Sequence, residues 1–182
     1  MLFRSCPVGD KVIYVVPGVP FELYEMFERA ILPDLLSRSG SQSVIASRTL
    51  RTWGESESGL NERLHDLIAE LDRVGNPTLA FLASGWEGIK VRLTAKADSN
   101  DAVRRLLDEW DGRVRDVVGD VVFGVDGDTM ESVVLDLMRT MGLTLGLAES
   151  VTGGLVAGRL TNVPGSSDVL RDRKSTRLNS SH

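Results

Sequence analysis

Short apolar runs alternate with amphipathic stretches along the whole chain, and this pattern predicts a mixed α and β protein. Strands are predicted where apolar and β-branched residues run together or alternate with polar ones, at 11–16, 44–52, 79–82, 89–97, 121–125 and 143–147. Helices are predicted where apolar residues recur every three or four positions, at 21–35, 60–71, 101–118, 128–141 and from 155 onward. The expected fold class is therefore α/β combined with α+β.

The N-terminal part begins with the apolar run at 11–16, which is rich in β-branched residues and predicts a buried strand. Prolines and a glycine at 17–20 predict a turn into a helix, and Pro20 suits a helix start because the first-turn amide has no partner to lose. The helix carries an apolar stripe that we expect to be buried, formed by Phe21, Tyr24, Phe27, Ile31 and Leu35. Residues 37–43, rich in serine and glycine, predict a linker.

Residues 44–118 predict a two-layer α+β unit with the element order β-α-β-β-α. The apolar positions of its two helices are Leu60, Leu64, Leu67, Ile68 and Leu71 in the first, and Val103, Leu106, Leu107, Trp110 and Val114 in the second.

The last strand of this unit alternates apolar with polar residues, so that Lys90, Arg92 and Lys96 share one face, with Trp86 in the turn before it. This face could hold single-stranded nucleic acid by charge and stacking, or it could be a solvated sheet surface. Glu87 in the turn and the acidic balance of the chain favour the second interpretation.

Residues beyond 120 predict a short strand at 121–125, followed by a helix, a strand and a further helix. Asp128 is predicted to cap the first helix together with Glu131. We expect the apolar stripe of this helix to be core, namely Met130, Val133, Val134, Leu137, Met138 and Met141. Gly142 ends the helix, and the run at 143–147 predicts a buried strand.

Chemical groups concentrate between that strand and the last helix, in the stretch AESVTGG at 148–154. Glu149 supplies a carboxylate, and Ser150 and Thr152 supply hydroxyls. Gly153 and Gly154, at a strand-to-helix turn, would leave backbone amides pointing at an anion. A plain glycine turn has the same spacing, so a catalytic loop and a structural turn both remain open.

Composition narrows the classes of function. The chain has 182 residues, 42% of them hydrophobic and 26% charged, as in soluble globular proteins. No apolar run approaches the roughly 20 residues of a membrane span and no leader is evident, so we expect a cytoplasmic protein without a membrane partner. With one cysteine, Cys6, and two histidines, we expect no disulfide, no metal site and no cofactor. The net charge of −5 does not favour a nucleic-acid partner.

Three stretches resemble one family. AESVTGGLVAGRLTNVPGSS, at 148–167, resembles the start of the deamidase domain of the CinA (competence/damage-inducible protein A) family, where Val151 is commonly a cysteine. RTLRTWGESESGLNERL resembles the KH-like middle domain of that family, and PGVPFELYEMFERAILPDL resembles the end of its molybdopterin-binding-like α/β domain. The resemblance implies boundaries of 6–37 for the end of the molybdopterin-binding-like domain, 38–119 for the KH-like domain and 120–171 for a truncated α/β deamidase domain.

The activity implied by the resemblance is that of a nicotinamide-nucleotide amidohydrolase, which converts nicotinamide mononucleotide to nicotinic acid mononucleotide and ammonia. The substrate would be a small-molecule nucleotide, and the parent protein would be a homo-oligomer. The family has a tyrosine and a lysine farther downstream, so we expect the chain itself to be inactive. The alternative is a KH-like module that binds nucleic acid or protein.

The resemblance also implies roles for individual residues. Ser150 is the first candidate nucleophile, with Ser166 and Ser167 as rivals, because amide hydrolysis needs an activated nucleophile and donors for the oxyanion. Glu149 would position the substrate or the turn. The expected donors to the oxyanion or to the substrate phosphate are Thr152, Gly153 and Gly154, and the expected substrate-binding turn is Gly165, Ser166 and Ser167.

The two ends of the chain differ in character from the rest. Residues 1–5 and 172–182 resemble translated sequencing adaptors. We expect 172–182 to be a disordered tail that pairs with no core, because Leu178 is its only large apolar residue and ordering the tail would cost backbone entropy. A genuine polar terminus is the alternative.

Overall fold

The computed structural model describes residues 4–40, 43–83 and 85–175. The chain forms two compact units, Met1–Ser43 and Val44–His182. Within the described ranges, no helix combines the length and the apolar character that crossing a bilayer would require.

The first unit is a β-hairpin followed by a helical stretch. Strands β1 (Arg4–Val8) and β2 (Lys11–Val15) pair antiparallel, and Gly9 adopts a φ of 62° in the tight turn between them. Helix α1 (Pro20–Met26) begins at Pro20, which confirms the predicted helix start. A π-helical segment (Phe27–Ile31) and helix α2 (Leu32–Ser39) continue it.

Two predictions for this unit are wrong. The strand expected to be buried has alternating exposed and half-buried residues. The helix stripe is largely exposed as well: Phe21 retains 76% of its accessible surface, whereas Ile31 is buried. A two-stranded hairpin offers too little apolar surface to cover a helix stripe of this length. The first strand also includes Arg4 and Ser5, which were expected to lie in an adaptor-like end.

The second unit begins with a domain built on a four-stranded antiparallel sheet. Its elements are β3 (Val44–Thr52), α3 (Glu57–Arg63), α4 (His65–Val74), β4 (Thr78–Ala83), β5 (Ile89–Ala97), α5 (Asn100–Val118) and β6 (Val122–Val125). The strand order is β4-β5-β3-β6. This agrees with the predicted order β-α-β-β-α, except that the first helix is divided into α3 and α4, and it adds a fourth strand at the edge.

One core fills the space between this sheet and its helices. The predicted helix residues are buried or half-buried in it, and β3 and β5 contribute Leu50, Val91, Leu93 and Ala95. The helix predicted at 60–71 is in fact two helices, which meet at the fully buried Leu64. Ser99 caps α5 by accepting a hydrogen bond from the Ala102 amide at 3.2 Å.

Strand β6 moves the end of this domain beyond the predicted boundary at 119/120. Leu50 pairs with Val125, and Thr52 pairs with Val122, so β6 belongs to the sheet of the middle domain. A four-residue edge strand carries no periodicity of its own that identifies its partner. The boundary therefore lies after Val125.

The remaining described residues form a small C-terminal lobe, defined as residues 126–175. It contains helix α6 (Met130–Thr140), strand β7 (Leu145–Glu149), helix α7 (Leu155–Thr161) and strand β8 (Leu170–Ser175). Strands β7 and β8 pair in parallel. Leu135, Leu160 and Val169 form the buried core of the lobe.

Helix α6 differs from its prediction in two ways. Its N-cap is Thr129, which forms a capping box with Ser132, and not Asp128 with Glu131. The buried residue of α6 is Leu135, whereas Leu137 and Met141 of the predicted core stripe are exposed. The helix is apolar on most sides, so its sequence leaves open which side the small β7-β8 sheet covers.

The prediction of a disordered tail is also wrong for residues 172–175. Strand β8 continues through residues 172–175, and the backbone pairs Gly146 with Asp172 and Glu149 with Ser175. Parallel pairing is made by main-chain groups, so it does not require an apolar pattern. Residues 176–182 lie outside the described ranges.

Truncating the chain after Arg171 is expected to increase amide hydrogen exchange in β7, because the truncation removes most of its pairing partner. Exchange followed by mass spectrometry at residues 145–149 would measure the effect, with β5 as the internal control. Unchanged protection of β7 in the truncated chain would contradict the pairing of residues 172–175.

Candidate active site

The residues expected to carry chemistry form the loop between β7 and α7, residues 150–154. Gly153 and Gly154 both have positive φ, at 61° and 96°. Side chains with a Cβ rarely adopt this conformation, so the two glycines turn the chain sharply from the strand into the helix. The loop therefore needs its glycines for backbone geometry.

The buried carboxylate of Glu149 holds this loop together. It accepts hydrogen bonds from Thr152 Oγ1 at 2.6 Å, from the Val156 amide at 2.9 Å and from the Ala157 amide at 2.8 Å. The first-turn amides of a helix have no partner within the helix, and the N-cap residue, Gly154, has no side chain to supply one. Glu149, at the end of the preceding strand, thus caps α7 from outside the helix.

The same contacts hold the pKa of Glu149 below its usual value. The Thr152 hydroxyl is the largest cause, the Ala157 and Val156 amides add to it, and desolvation opposes them. Glu149 is therefore ionised at neutral pH, where its charge also favours the N-terminal end of α7. A carboxylate in this state does not serve as a proton donor to a leaving group.

This geometry gives hydrogen-bond partners to two of the expected donors, Thr152 and Gly153. The Thr152 hydroxyl and the first-turn amides of α7 bind Glu149, and the Gly153 amide donates to the Ser150 carbonyl at 3.2 Å. The Thr152 hydroxyl and the Gly153 amide, both expected as donors to a substrate, therefore have partners within the loop. The role of Glu149 in positioning the turn agrees with the geometry.

Ser150 lies at the exposed surface of this loop, directly after Glu149. In the part of the chain that the structure describes, no residue forms a hydrogen bond with its hydroxyl. The next residue, Val151, is 99% exposed, so the loop tip projects into solvent. A serine hydroxyl needs a neighbouring base to become a strong nucleophile.

Ser166 and Ser167 are not at the same end of the lobe as Ser150. They lie in the short helical turn Ser166–Asp168, just before β8, and Gly165 accepts a hydrogen bond from Arg139 at 3.0 Å. Because β7 and β8 are parallel, this turn lies near the start of β7 and Ser150 follows its end. Four residue steps along a strand separate the two ends by roughly 13 Å.

The cationic stripe of the middle domain is partly neutralised. Lys90 Nζ lies 2.8 Å from a Glu87 carboxylate oxygen, and Arg51 reaches the same oxygen at 3.4 Å. Arg92 and Lys96 are exposed on the sheet face opposite the buried Val91, Leu93 and Ala95. Glu87 thus reduces the positive charge near Trp86.

These features define a chain with a KH-type α+β domain followed by an α/β lobe that carries a strand–loop–helix site. Residues 47–124 match the damage-inducible protein CinA KH domain, and residues 127–173 match the CinA C-terminal domain. The junction between the two matches agrees with the end of β6. The chain belongs to the CinA family.

Individual relatives agree with this assignment. A CinA-like protein of Frankia casuarinae is 45% identical over 90% of this chain and 38% of its own length. A CinA-like protein of Dictyoglomus thermophilum is 40% identical over 86% of this chain and 37% of its own length. A Moorella thermoacetica relative, named for competence-damage induction, is 43% identical over 87% of the chain and 37% of its own length.

The chain spans less than two fifths of the length of these relatives. For residues 6–37, the resemblance to a molybdopterin-binding-like domain stays a prediction.

Proposed function

We propose that the C-terminal lobe is part of a nicotinamide-nucleotide amidohydrolase site, which hydrolyses the carboxamide of nicotinamide mononucleotide to a carboxylate and ammonia. The observation that carries the proposal is the fixed loop, which presents the exposed Ser150 hydroxyl at the end of a parallel strand. Family membership supports it, because the loop lies within the region that matches the CinA C-terminal domain.

In this proposal Ser150 Oγ attacks the carboxamide carbon while a base takes its proton. The carbon–nitrogen bond of the tetrahedral intermediate then breaks, the nitrogen takes up a proton and leaves as ammonia, and water hydrolyses the resulting ester. Glu149 contributes by fixing the backbone on both sides of Ser150. In this proposal the base and the oxyanion donors are groups other than the Thr152 hydroxyl and the Val156 and Ala157 amides, which bind Glu149.

The chain itself is therefore expected to release no ammonia from nicotinamide mononucleotide above a protein-free control. A full-length parent that contains residues 6–171 is expected to be active. Its Ser150→Ala variant should lose at least about a thousandfold in kcat, because the attacking atom is gone.

Ser47→Ala, in the exposed face of the middle sheet, is the matched control and should keep full activity. Retained activity in Ser150→Ala, combined with loss in Ser167→Ala, would move the nucleophile to the turn at the other end of β7. Ammonia release by the chain alone would show that the base lies within it.

A further inference from the structure

A cleft between the middle domain and the C-terminal lobe has no role in the proposed hydrolysis. It encloses about 620 Å³. The middle domain contributes Arg51, Trp53, Trp86 and Phe123 to its lining, and helix α7 with the residue after it contributes Arg159 and Asn162. No residue of the Ser150 loop or of the Gly165–Ser167 turn lines it, so the cleft and the loop are different sites.

Two of the three tryptophans of the chain are exposed at this cleft. Trp86 retains 62% and Trp53 retains 53% of its accessible surface, whereas Trp110 retains 4% in the core. Large aromatic side chains are normally buried, and two exposed ones beside a single cavity indicate a surface that a planar ligand can cover.

The charges of the cleft balance. The Arg159 guanidinium stacks on the Trp86 ring, 3.8 Å from its centre, and forms an ion pair with Glu131. Arg51 pairs with Glu87 at 3.4 Å and donates from Nε to the Asp126 carbonyl at 2.9 Å. Lys90 also binds Glu87 but does not line the cleft. Among the lining residues, two arginines stand against two glutamates, so the lining carries no net positive charge of the kind that a phosphate backbone requires.

One amide side chain is available at the edge of the cleft. Asn162 is exposed, and within the described ranges its side chain makes no hydrogen bond. A carboxamide offers both a donor and an acceptor, which matches the edge of a nitrogen heteroaromatic ring.

We propose that this cleft binds the base of an uncharged nucleoside, with the ring stacked on the exposed Trp86 and its edge hydrogen-bonded to Asn162. The volume is within the 300–1,000 Å³ typical of small-molecule sites, and stacking on aromatic side chains is the general means by which proteins hold unpaired bases. A base could come from a free nucleoside or from a single-stranded nucleic acid. Because the lining of the cleft carries no net positive charge, it favours a free nucleoside over a nucleic acid with its phosphate groups.

Adenosine is the probe, and the indole N–H signals of Trp53 and Trp86 in a ¹H–¹⁵N spectrum of the chain are the readout. Saturable shifts are expected for these two signals and not for Trp110. Trp86→Ala should weaken binding at least about tenfold, as expected for loss of a stacked base. Asn162→Ala is a second variant, which keeps the aromatic surface and removes the proposed hydrogen bonds to the base. It should also weaken the binding of adenosine. Phe21→Ala removes an exposed aromatic of the first unit and should leave the affinity unchanged.

An adenylate oligonucleotide of eight residues distinguishes the two sources. It is expected to bind no more tightly than adenosine, with little dependence on salt. Tighter, salt-sensitive binding would overturn the nucleoside assignment in favour of nucleic acid. The proposal also fails if adenosine at about 10 mM, ten times a millimolar Kd, gives no saturable shift of the two tryptophan signals. It fails as well if the Trp86→Ala and Asn162→Ala variants are both folded and both bind adenosine with the affinity of the unchanged chain. None of these outcomes depends on ammonia release, so the amidohydrolase proposal is tested separately.

Discussion

Replacing Leu93 with alanine is expected to lower the free energy of unfolding of the middle domain by about 2–5 kcal/mol. Leu93 is fully buried on β5, an inner strand of the four-stranded sheet, where it pairs with Arg48 on one side and Leu79 on the other. The substitution loses the transfer free energy of the removed methyl groups and leaves a cavity that a closely packed core fills only partly. Urea unfolding, followed by far-UV circular dichroism and by the summed tryptophan fluorescence, would measure the change.

The control for this substitution is Ile45→Ala on the neighbouring strand β3. Ile45 is exposed on the open face of the sheet, so its truncation should change the free energy of unfolding by no more than about 0.5 kcal/mol. Equal effects of the two substitutions would show that the inward and outward faces of the sheet are assigned incorrectly.

Glu149→Gln is expected to loosen the Ser150 loop while preserving the volume of the side chain. One carboxylate oxygen becomes an NH₂ group, which cannot accept a hydrogen bond. The variant therefore loses either the bond from Ala157 to Oε1 or the two bonds from Thr152 and Val156 to Oε2. In a full-length parent, kcat/KM for nicotinamide mononucleotide should fall about a hundredfold, because small displacements of a reacting group have effects of that size. Glu62→Gln, on the exposed side of α3, is the control and should retain activity.

The stabilising effect of Glu149 should depend on pH in a defined direction. Its pKa in the folded chain is lower than the ordinary value of 4.5, so the ionised form stabilises the fold above 4.5. That stabilisation is lost as the pH falls through the lower, folded-state pKa. The Ala157 amide proton shift should titrate below pH 4.5, and Glu149→Gln should abolish this titration. A midpoint at or above 4.5 would contradict the contacts described for Glu149.

The fold of the middle domain was largely predictable because its alternation of apolar and polar residues is compatible with only one assignment of buried and exposed faces. The alternation of Val91, Leu93 and Ala95 with cationic residues permits only one inward face, and the structure buries those three residues. Helix α6 was not predictable in the same way, because apolar residues surround it and only packing decides that Leu135 is buried and Leu137 is not.

The position of the candidate site in the chain was predictable from the sequence, whereas the contacts that hold the Ser150 loop were not. The glycines and the strand-to-helix change identified the loop, but the sequence did not show that Glu149 caps a helix that begins six residues later. The available signal was Gly154, an N-cap residue without a side chain, which requires a cap from elsewhere. The tryptophan cleft was missed because Trp53, Trp86 and Arg159 are distant in sequence and meet only in the folded chain.

The single carboxylate that joins the end of β7 to the first turn of α7 makes the loop a spacer of fixed length. An inserted residue between Ser150 and Gly154 would carry the Val156 and Ala157 amides out of reach of Glu149. The side chain at position 151 contributes nothing to that link, since it points entirely into solvent. The loop can therefore accept changes of composition at its tip, for instance to carry a reactive or bulky side chain, while changes of length are excluded.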